Sequence, residues 1–287
     1  GRRDEALAIY HRLEAVPRRS MNVEKELAEL YYKDLSRDAD KALHYYKMLL
    51  EQDEQPAYLF YAATCCKYLG QYGEAEKYFL RLQEIDPEDV DGYNGMAFLY
   101  DTMKRYEESL EQINKVIQRI QHWEGDQSGY YYHKSRILRR LNRPVEAMAV
   151  VDELSEKYGN EDIFREKFEI CCQFGLWDQA EQLLKDWRRN GRKKKELTAA
   201  GIDLDLFTGK IKEAASALEK ASGKLNADDA ERLTLLMGEL EGDEAVQMPI
   251  WEKRAAKRQD KTHELMNMAQ VQWWNGHYDK AREYAQE

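Results

Sequence analysis

Little in this sequence would break a helix: 287 residues hold only 5 prolines and 16 glycines. Long apolar runs are missing too. The longest, such as Met148 to Val151 and Leu235 to Met237, fall far short of the roughly 18 residues that a membrane-spanning helix needs, so no membrane span is expected. The chain opens Gly1-Arg2-Arg3 with neither an initiator Met nor an apolar leader, which is expected of a fragment of a longer protein. Cysteine is sparse and occurs as two adjacent pairs, Cys65-Cys66 and Cys171-Cys172. Neither pair has the spacing of a zinc knuckle or a thioredoxin-like motif, and neighbours on a helix point about 100° apart. Small thiols packed between helices are expected instead of a metal or redox site. Unpaired buried thiols suit a reducing, cytoplasmic compartment.

Catalytic motifs are absent as well. His263-Glu264 opens like a zinc-protease helix, but Asn267 stands where the second histidine is required. Gly223-Lys224 lacks the upstream glycine of a phosphate loop, and neither a glycine-rich dinucleotide fingerprint nor a nucleophile elbow occurs. Carboxylates sit beside cations along helical stretches, as in Glu74, Glu76, Lys77 and in Glu107, Glu108, Glu111, Lys115. These read as solvated faces, and no catalysis, cofactor or metal is expected. A basic cluster, Arg188, Arg189, Arg192, Lys193, Lys194 and Lys195, surrounds Asn190-Gly191. With a net charge of -10 and a pI near 5.3, non-specific attraction to a polyanion is disfavoured, so a solvated loop is expected there and nucleic acid is not an expected partner.

What the chain has is a period of 34 residues. Leu59 and Tyr93, Tyr72 and Tyr106, Gly175 and Gly209, Ala180 and Ala214, and Leu184 and Leu218 are each one step apart. Such periodicity marks a stack of small units that bury their apolar faces only against one another, and 43% hydrophobic residues supply a continuous core. In the clearest unit, Tyr58, Leu59, Ala62, Ala63 and Cys66 fall at helical spacing, Gly70-Gln71 interrupts, and Ala75, Tyr78, Phe79 and Leu82 form a second stripe before Pro87. The spacing predicts a helix, a glycine-capped turn and a second helix, with Ala63 and Ala75 permitting close approach.

On these residues the chain resembles the tetratricopeptide repeat family. The family pattern appears as Leu59, Ala62-Ala63, Cys66, Ala75, Phe79 and Pro87, and again as Tyr93, Met96-Ala97, Tyr100, Ser109 and Ile113. Later units keep mainly the turn and second helix: Gly175, Trp177, Ala180, Leu184; Gly209, Ile211, Ala214, Leu218; Gly276, Tyr278, Ala281. The resemblance implies an all-α, right-handed solenoid of about eight helical hairpins acting as a non-catalytic protein-interaction scaffold. Two other roles stay open: the sensory or regulatory part of a larger chain, and an accessory segment of an enzyme whose catalytic domain lies elsewhere.

The expected units are 1–20, a second helix alone, then 22–54, 56–89, 90–123, 128–160, 161–190, 195–225, a degenerate 226–260 and a truncated 262–287. Ala6, Tyr10 and Leu13 match Ala75, Phe79 and Leu82, and Ala281 to Glu287 reads as a second helix cut short. Both ends then expose apolar faces open to self-association. Irregularities are expected in a longer turn from Asp34 to Asp40, in four added residues between Gln121 and Ser128, and in a bend or loop at Met248 to Ile250 forced by Pro249. Asp228 and Glu231 have the spacing of a capping box.

The resemblance further implies that the first helices line a surface for a peptide or a partner's helix. Phe60, Asn94, Tyr132 and Arg165 stand one residue beyond the packing positions Leu59, Tyr93, Tyr131 and Phe164. Thr64, Phe98, Arg136 and Glu169 lie one turn further along. The stretch Tyr130-Tyr131-Tyr132-His133 is followed by Arg136, Arg139, Arg140 and Arg143. Tyr132, Arg136 and Arg139 share a face there, so an acidic or C-terminal peptide is the expected ligand. The lysine–asparagine carboxylate clamp of some relatives is not expected, because the corresponding positions read Phe60, Thr64 and Gly95.

Overall fold

The computed structural model describes residues 2–16, 22–158, 161–190, 194–221, 223–258 and 260–287. Among the described residues all regular structure is helical. The chain divides into two compact units, Gly1–Tyr158 and Gly159–Glu287.

The first unit contains α1 (Arg2–Glu14), α2 (Val23–Tyr32), α3 (Leu35–Gln52), α4 (Pro56–Tyr68), α5 (Tyr72–Ile85), α6 (Asp91–Thr102), α7 (Tyr106–Arg119), α8 (Ser128–Arg140) and α9 (Pro144–Tyr158). Each helix packs on the next, and α4 also touches α6. That is the contact pattern of stacked antiparallel helix pairs in an α-solenoid. The buried side chains of Leu27, Tyr46, Leu49, Phe79, Met96 and Leu99 run through the stack as one core. Leu7, Tyr10 and Leu13 lay α1 against its end.

The second unit contains α10 (Glu161–Gln173), α11 (Trp177–Asn190), α12 (Lys194–Phe207), α13 (Ile211–Lys220), α14 (Ala227–Glu241), α15 (Glu244–Ala255), α16 (Thr262–Trp274) and α17 (Tyr278–Gln286). Its core includes Ile202, Leu206, Ala214, Leu233 and Met237, with a further cluster of Leu235, Met248, Trp251, Met268 and Val271.

One turn joins most of the pairs. After α4, Gly70 takes φ +71°, its N–H donates to the Lys67 carbonyl at 3.1 Å, and the Gln71 N–H donates to the Cys66 carbonyl at 2.8 Å. This double closure caps the helix through a left-handed residue. It recurs at Gly175, Gly209, Gly242 and Gly276. In the first unit Lys104 and Asn142 occupy the same place with φ 60° and 59°. Arg105 N–H then reaches the Tyr100 carbonyl at 2.8 Å, and Arg143 N–H reaches that of Leu138 at 3.0 Å. The geometry persists without glycine, at a cost that asparagine tolerates better than lysine.

The irregular places differ in detail from their expectation. The long turn expected from Asp34 to Asp40 is replaced by α3 beginning at Leu35, with a kink at Asp38, whose φ and ψ are −127° and 21°. The Asp38 carboxylate is buried and accepts from Arg3 Nη2 at 2.6 Å and Lys41 Nζ at 2.9 Å, so the kink stands where a buried charge is satisfied. In the added stretch, a 3₁₀ turn over Ile120–His122 precedes buried Gln127, whose Nε2 donates to the carbonyls of Ile120 and Trp123, each at 2.8 Å.

Pro249 neither ends nor loops the chain. It lies inside α15. The carbonyl it deprives of a donor belongs to Ala245, and both residues are exposed on a face open to solvent, while Met248 and Trp251 are buried and anchor the helix. The capping-box expectation is also corrected: the N-cap of α14 is Asn226, which accepts from the Asp229 N–H at 2.7 Å, and Glu231 instead accepts from Arg254 at 2.8 Å. The cysteines are free, with Cys65, Cys66 and Cys171 buried and Cys172 half-buried. Burial pushes the thiols of Cys65 and Cys172 up to about 12, which suits packing, not reactivity. No helix among the described residues is long and apolar enough to cross a membrane.

Candidate functional site

In the first unit α4, α6 and α8 are successive first helices of their pairs, and they carry seven of the nine side chains singled out in the sequence. Phe60 is partly buried against the core, edge-on to Phe79 with ring centroids 6.1 Å apart. Thr64 turns its hydroxyl back to the Phe60 carbonyl at 2.9 Å. Asn94 is half-buried, and its Oδ1 has no hydrogen-bond partner within the protein. Gly95, one residue on, faces the Phe79 ring and therefore belongs to helix packing and not to a groove.

Phe98 is the centre of the best-defined cluster. Its ring is 37% exposed and stacks on His133 with centroids 3.9 Å apart and planes 18° from parallel. The Arg136 guanidinium carbon lies 5.9 Å from the ring centroid and Lys67 Nζ lies 5.8 Å away, both within cation–π range. One turn beyond Phe98, the buried Asp101 carboxylate accepts from Arg140 and, at 3.4 Å, from Arg136. His133 Nε2 is 3.9 Å from Asp101, beyond hydrogen-bond reach, and neither ring nitrogen has a partner within the protein. Burial, with Arg136, Arg140 and Lys67 nearby, pushes the His133 pKa down to about 4 against the pull of Asp101. The imidazole is neutral at pH 7. Burial also lowers the Lys67 pKa. Lys67 has no carboxylate partner among the described residues.

The structure thus joins Phe98 to Arg136, and adds Lys67, Asp101, His133 and Arg140, which the site expectation did not include. A further helical step along the same faces leads from Thr64 to Lys67, from Phe98 to Asp101 and from Arg136 to Arg140. Tyr132 and Arg139 are half-buried on α8. Arg165 and Glu169 lie on α10 in the second unit, where Arg165 Nε donates to Glu169 at 3.1 Å. The basic cluster expected around Asn190-Gly191 falls partly outside the described residues: Arg192 and Lys193 lie outside them, and Arg189 stands 3.7 Å from Asp186.

Residues 56–89 match the model of the tetratricopeptide repeat. A tetratricopeptide repeat protein from Parabacteroides merdae superposes with a TM-score of 0.66 at 16% identity, over 86% of this chain and 98% of that one. PilF of Pseudomonas aeruginosa gives 0.52 at 16% identity, over 90% of this chain and all of the other. No curated protein matches the sequence. The chain has the tetratricopeptide-repeat fold, and residues 56–89 are a tetratricopeptide repeat in sequence as well.

Proposed function

We propose that this chain is a protein-interaction scaffold whose first unit holds an acidic peptide segment across α4, α6 and α8. The observation that carries this reading is the charge balance around Phe98. Lys67, Arg136 and Arg140 bring three cations to that face, and Asp101 is the carboxylate that answers them. The surplus positive charge lies beside an exposed aromatic ring, in a chain that is acidic overall. A carboxylate from a partner would meet Lys67 and the outer edge of Arg136, and an apolar neighbour would cover Phe98. Tyr132 and Arg139 would extend the contact along α8, with Phe60, Thr64 and Asn94 along the two preceding first helices. Arg165 and Glu169 would contribute a separate polar contact in the second unit.

An array of acidic peptides alternating Asp or Glu with apolar residues, probed with the chain at two salt concentrations, tests this. Wild type should retain acidic over charge-reversed peptides. Lys67→Ala with Arg136→Ala should weaken capture by about tenfold or more and flatten its salt dependence, with the helical circular dichroism unchanged. Equal retention by wild type and the double variant would refute the assignment.

A further inference from the structure

In the second unit, an open cleft accompanies a break in the repeat pattern. Gly175 and Gly209 are 34 residues apart, which places Thr198 and Asp205 of α12 where the preceding hairpin has Phe164 and Cys171. In the first unit the equivalent positions are filled by Leu59 and Cys66, and by Tyr93 and Tyr100, all buried. Between Thr198 and Asp205 stands Gly201, which contributes no side chain. Thr198 is small beside Leu59, Tyr93 and Phe164, and Asp205 is small beside Tyr100, although Cys66 and Cys171 are no larger. A cleft of about 700 Å³, open to solvent on one side, lies between α11 and α12 and reaches Ala217 of α13. That is the size of a small-molecule site, roughly 300–1,000 Å³.

Its lining is selective. Leu184, Leu197 and Ile202 supply apolar wall. Four charged side chains reach it: Glu181, Lys185, Arg188 and Asp205. Glu181 is balanced by Lys185 at 3.8 Å and by Lys210 at 3.6 Å. Arg188 and Asp205 have no ion partner among the described residues, and they do not pair with each other. A Cβ added to Gly201 would meet Arg188 Nη2 at 3.1 Å, so the guanidinium lies over the glycine within the cleft. Arg188 is exposed to solvent and Asp205 is half-buried, so a ligand that carries both charges would complement two groups left unpaired beside an apolar wall.

We propose that this cleft binds a small zwitterion with an apolar body, of the class of short peptides with free termini. Its carboxylate sits on Arg188, its ammonium on Asp205, and its side chains against Leu184, Leu197 and Ile202. The site is independent of the face around Phe98.

The test is calorimetric titration of the whole chain with leucyl-phenylalanine, its N-acetyl derivative and its C-terminal amide. The free dipeptide should bind, and each blocked form should bind about tenfold more weakly or worse. Arg188→Ala should erase the preference for the free carboxylate and leave the preference for the free ammonium. Asp205→Asn should do the reverse. Gly201→Leu, whose Cβ would meet Arg188 Nη2 at 3.1 Å and Leu184 Cδ2 at 3.9 Å, should fill the space and abolish binding with the helical signal intact. Absence of dipeptide binding at millimolar concentration, equal binding of the blocked forms, or binding that survives Gly201→Leu would each overturn the proposal and leave slack packing in a divergent repeat.

Discussion

Gly95→Ala offers a strict test of the packing, because two effects of opposite sign compete at one atom. Gly95 lies inside α6, where replacing glycine by alanine favours the helix by about 1 kcal/mol. The new methyl, however, would stand 2.6 Å from Phe79 Cζ and 2.7 Å from Cδ1, and closer still to Cε1. Carbon atoms prefer roughly 3.5–4.0 Å, so the ring or the helix must yield by about 1 Å. Phe79 is 1% exposed and surrounded by the core, which leaves it no free direction. Overpacking of this kind costs about 3 kcal/mol, the upper end of the usual range. The net effect should be a loss of about 2 kcal/mol.

Gly73→Ala is the matched control. Gly73 stands in the first turn of α5, exposed, with nothing within 4 Å of the added carbon, and should gain about 0.5 kcal/mol. Stacked repeats need not unfold in one step, so the readout is the midpoint of the calorimetric transition of the first unit, at about 2–4 °C per kcal/mol. Gly95→Ala should lower it by about 4–8 °C and Gly73→Ala should raise it by about 1–2 °C. Adding Phe79→Leu to Gly95→Ala should recover part of the loss, a positive coupling between neighbours. A Gly95→Ala midpoint at or above that of the parent would refute the assigned contact.

Two further outcomes follow from the first unit. Lys104→Gly should stabilise by about 1 kcal/mol, because φ 60° suits glycine and strains lysine, while the same change at Lys77, within α5, should destabilise by a similar amount; denaturant midpoints of the two variants compare them, and loss of stability on Lys104→Gly would contradict the turn. His133, held down to about 4 when folded, titrates near 6.5 when unfolded. Between those values the unfolded chain binds a proton that the folded chain refuses, so stability is full above about pH 6.5 and declines as pH falls toward 4. His133→Phe keeps a ring against Phe98 and removes two unpaired nitrogens. It should flatten that part of the profile of melting temperature between pH 4 and 7, and an unchanged slope would show that His133 is not the titrating group.

What the sequence displayed and what it concealed divide along physical lines. Leu59, Ala63, Ala75 and Phe79 were legible because helix packing repeats every hairpin and demands apolar or small residues at fixed spacing. Gly70, Gly175, Gly209 and Gly276 were legible because the left-handed turn favours glycine. Gly242 was equally available, 33 residues after Gly209 and 34 before Gly276, and it caps α14 with the same pair of bonds. It was overshadowed by Pro249, whose helix-breaking effect depends on whether the freed carbonyl meets water. Periodicity carries no information on that point.

Lys104 and Asn142 concealed their turns for a related reason. A closure made by backbone hydrogen bonds can hold a strained residue, and the residue then gives no sign of its conformation. The cluster around Phe98 lies deeper still. Helical spacing aligns Phe98 with Asp101 and Arg136 with Arg140, but it cannot say that His133 turns inward to stack on Phe98 or that Arg140 closes on Asp101. Those contacts join α6 to α8 across some 35 residues of sequence. Both candidate sites are local features of this chain: surplus cations beside an exposed ring, and a space where Thr198 and Gly201 contribute little volume. A repeat's consensus secures the stack, so chemistry particular to this chain has to be sought where the consensus fails and the fold still holds.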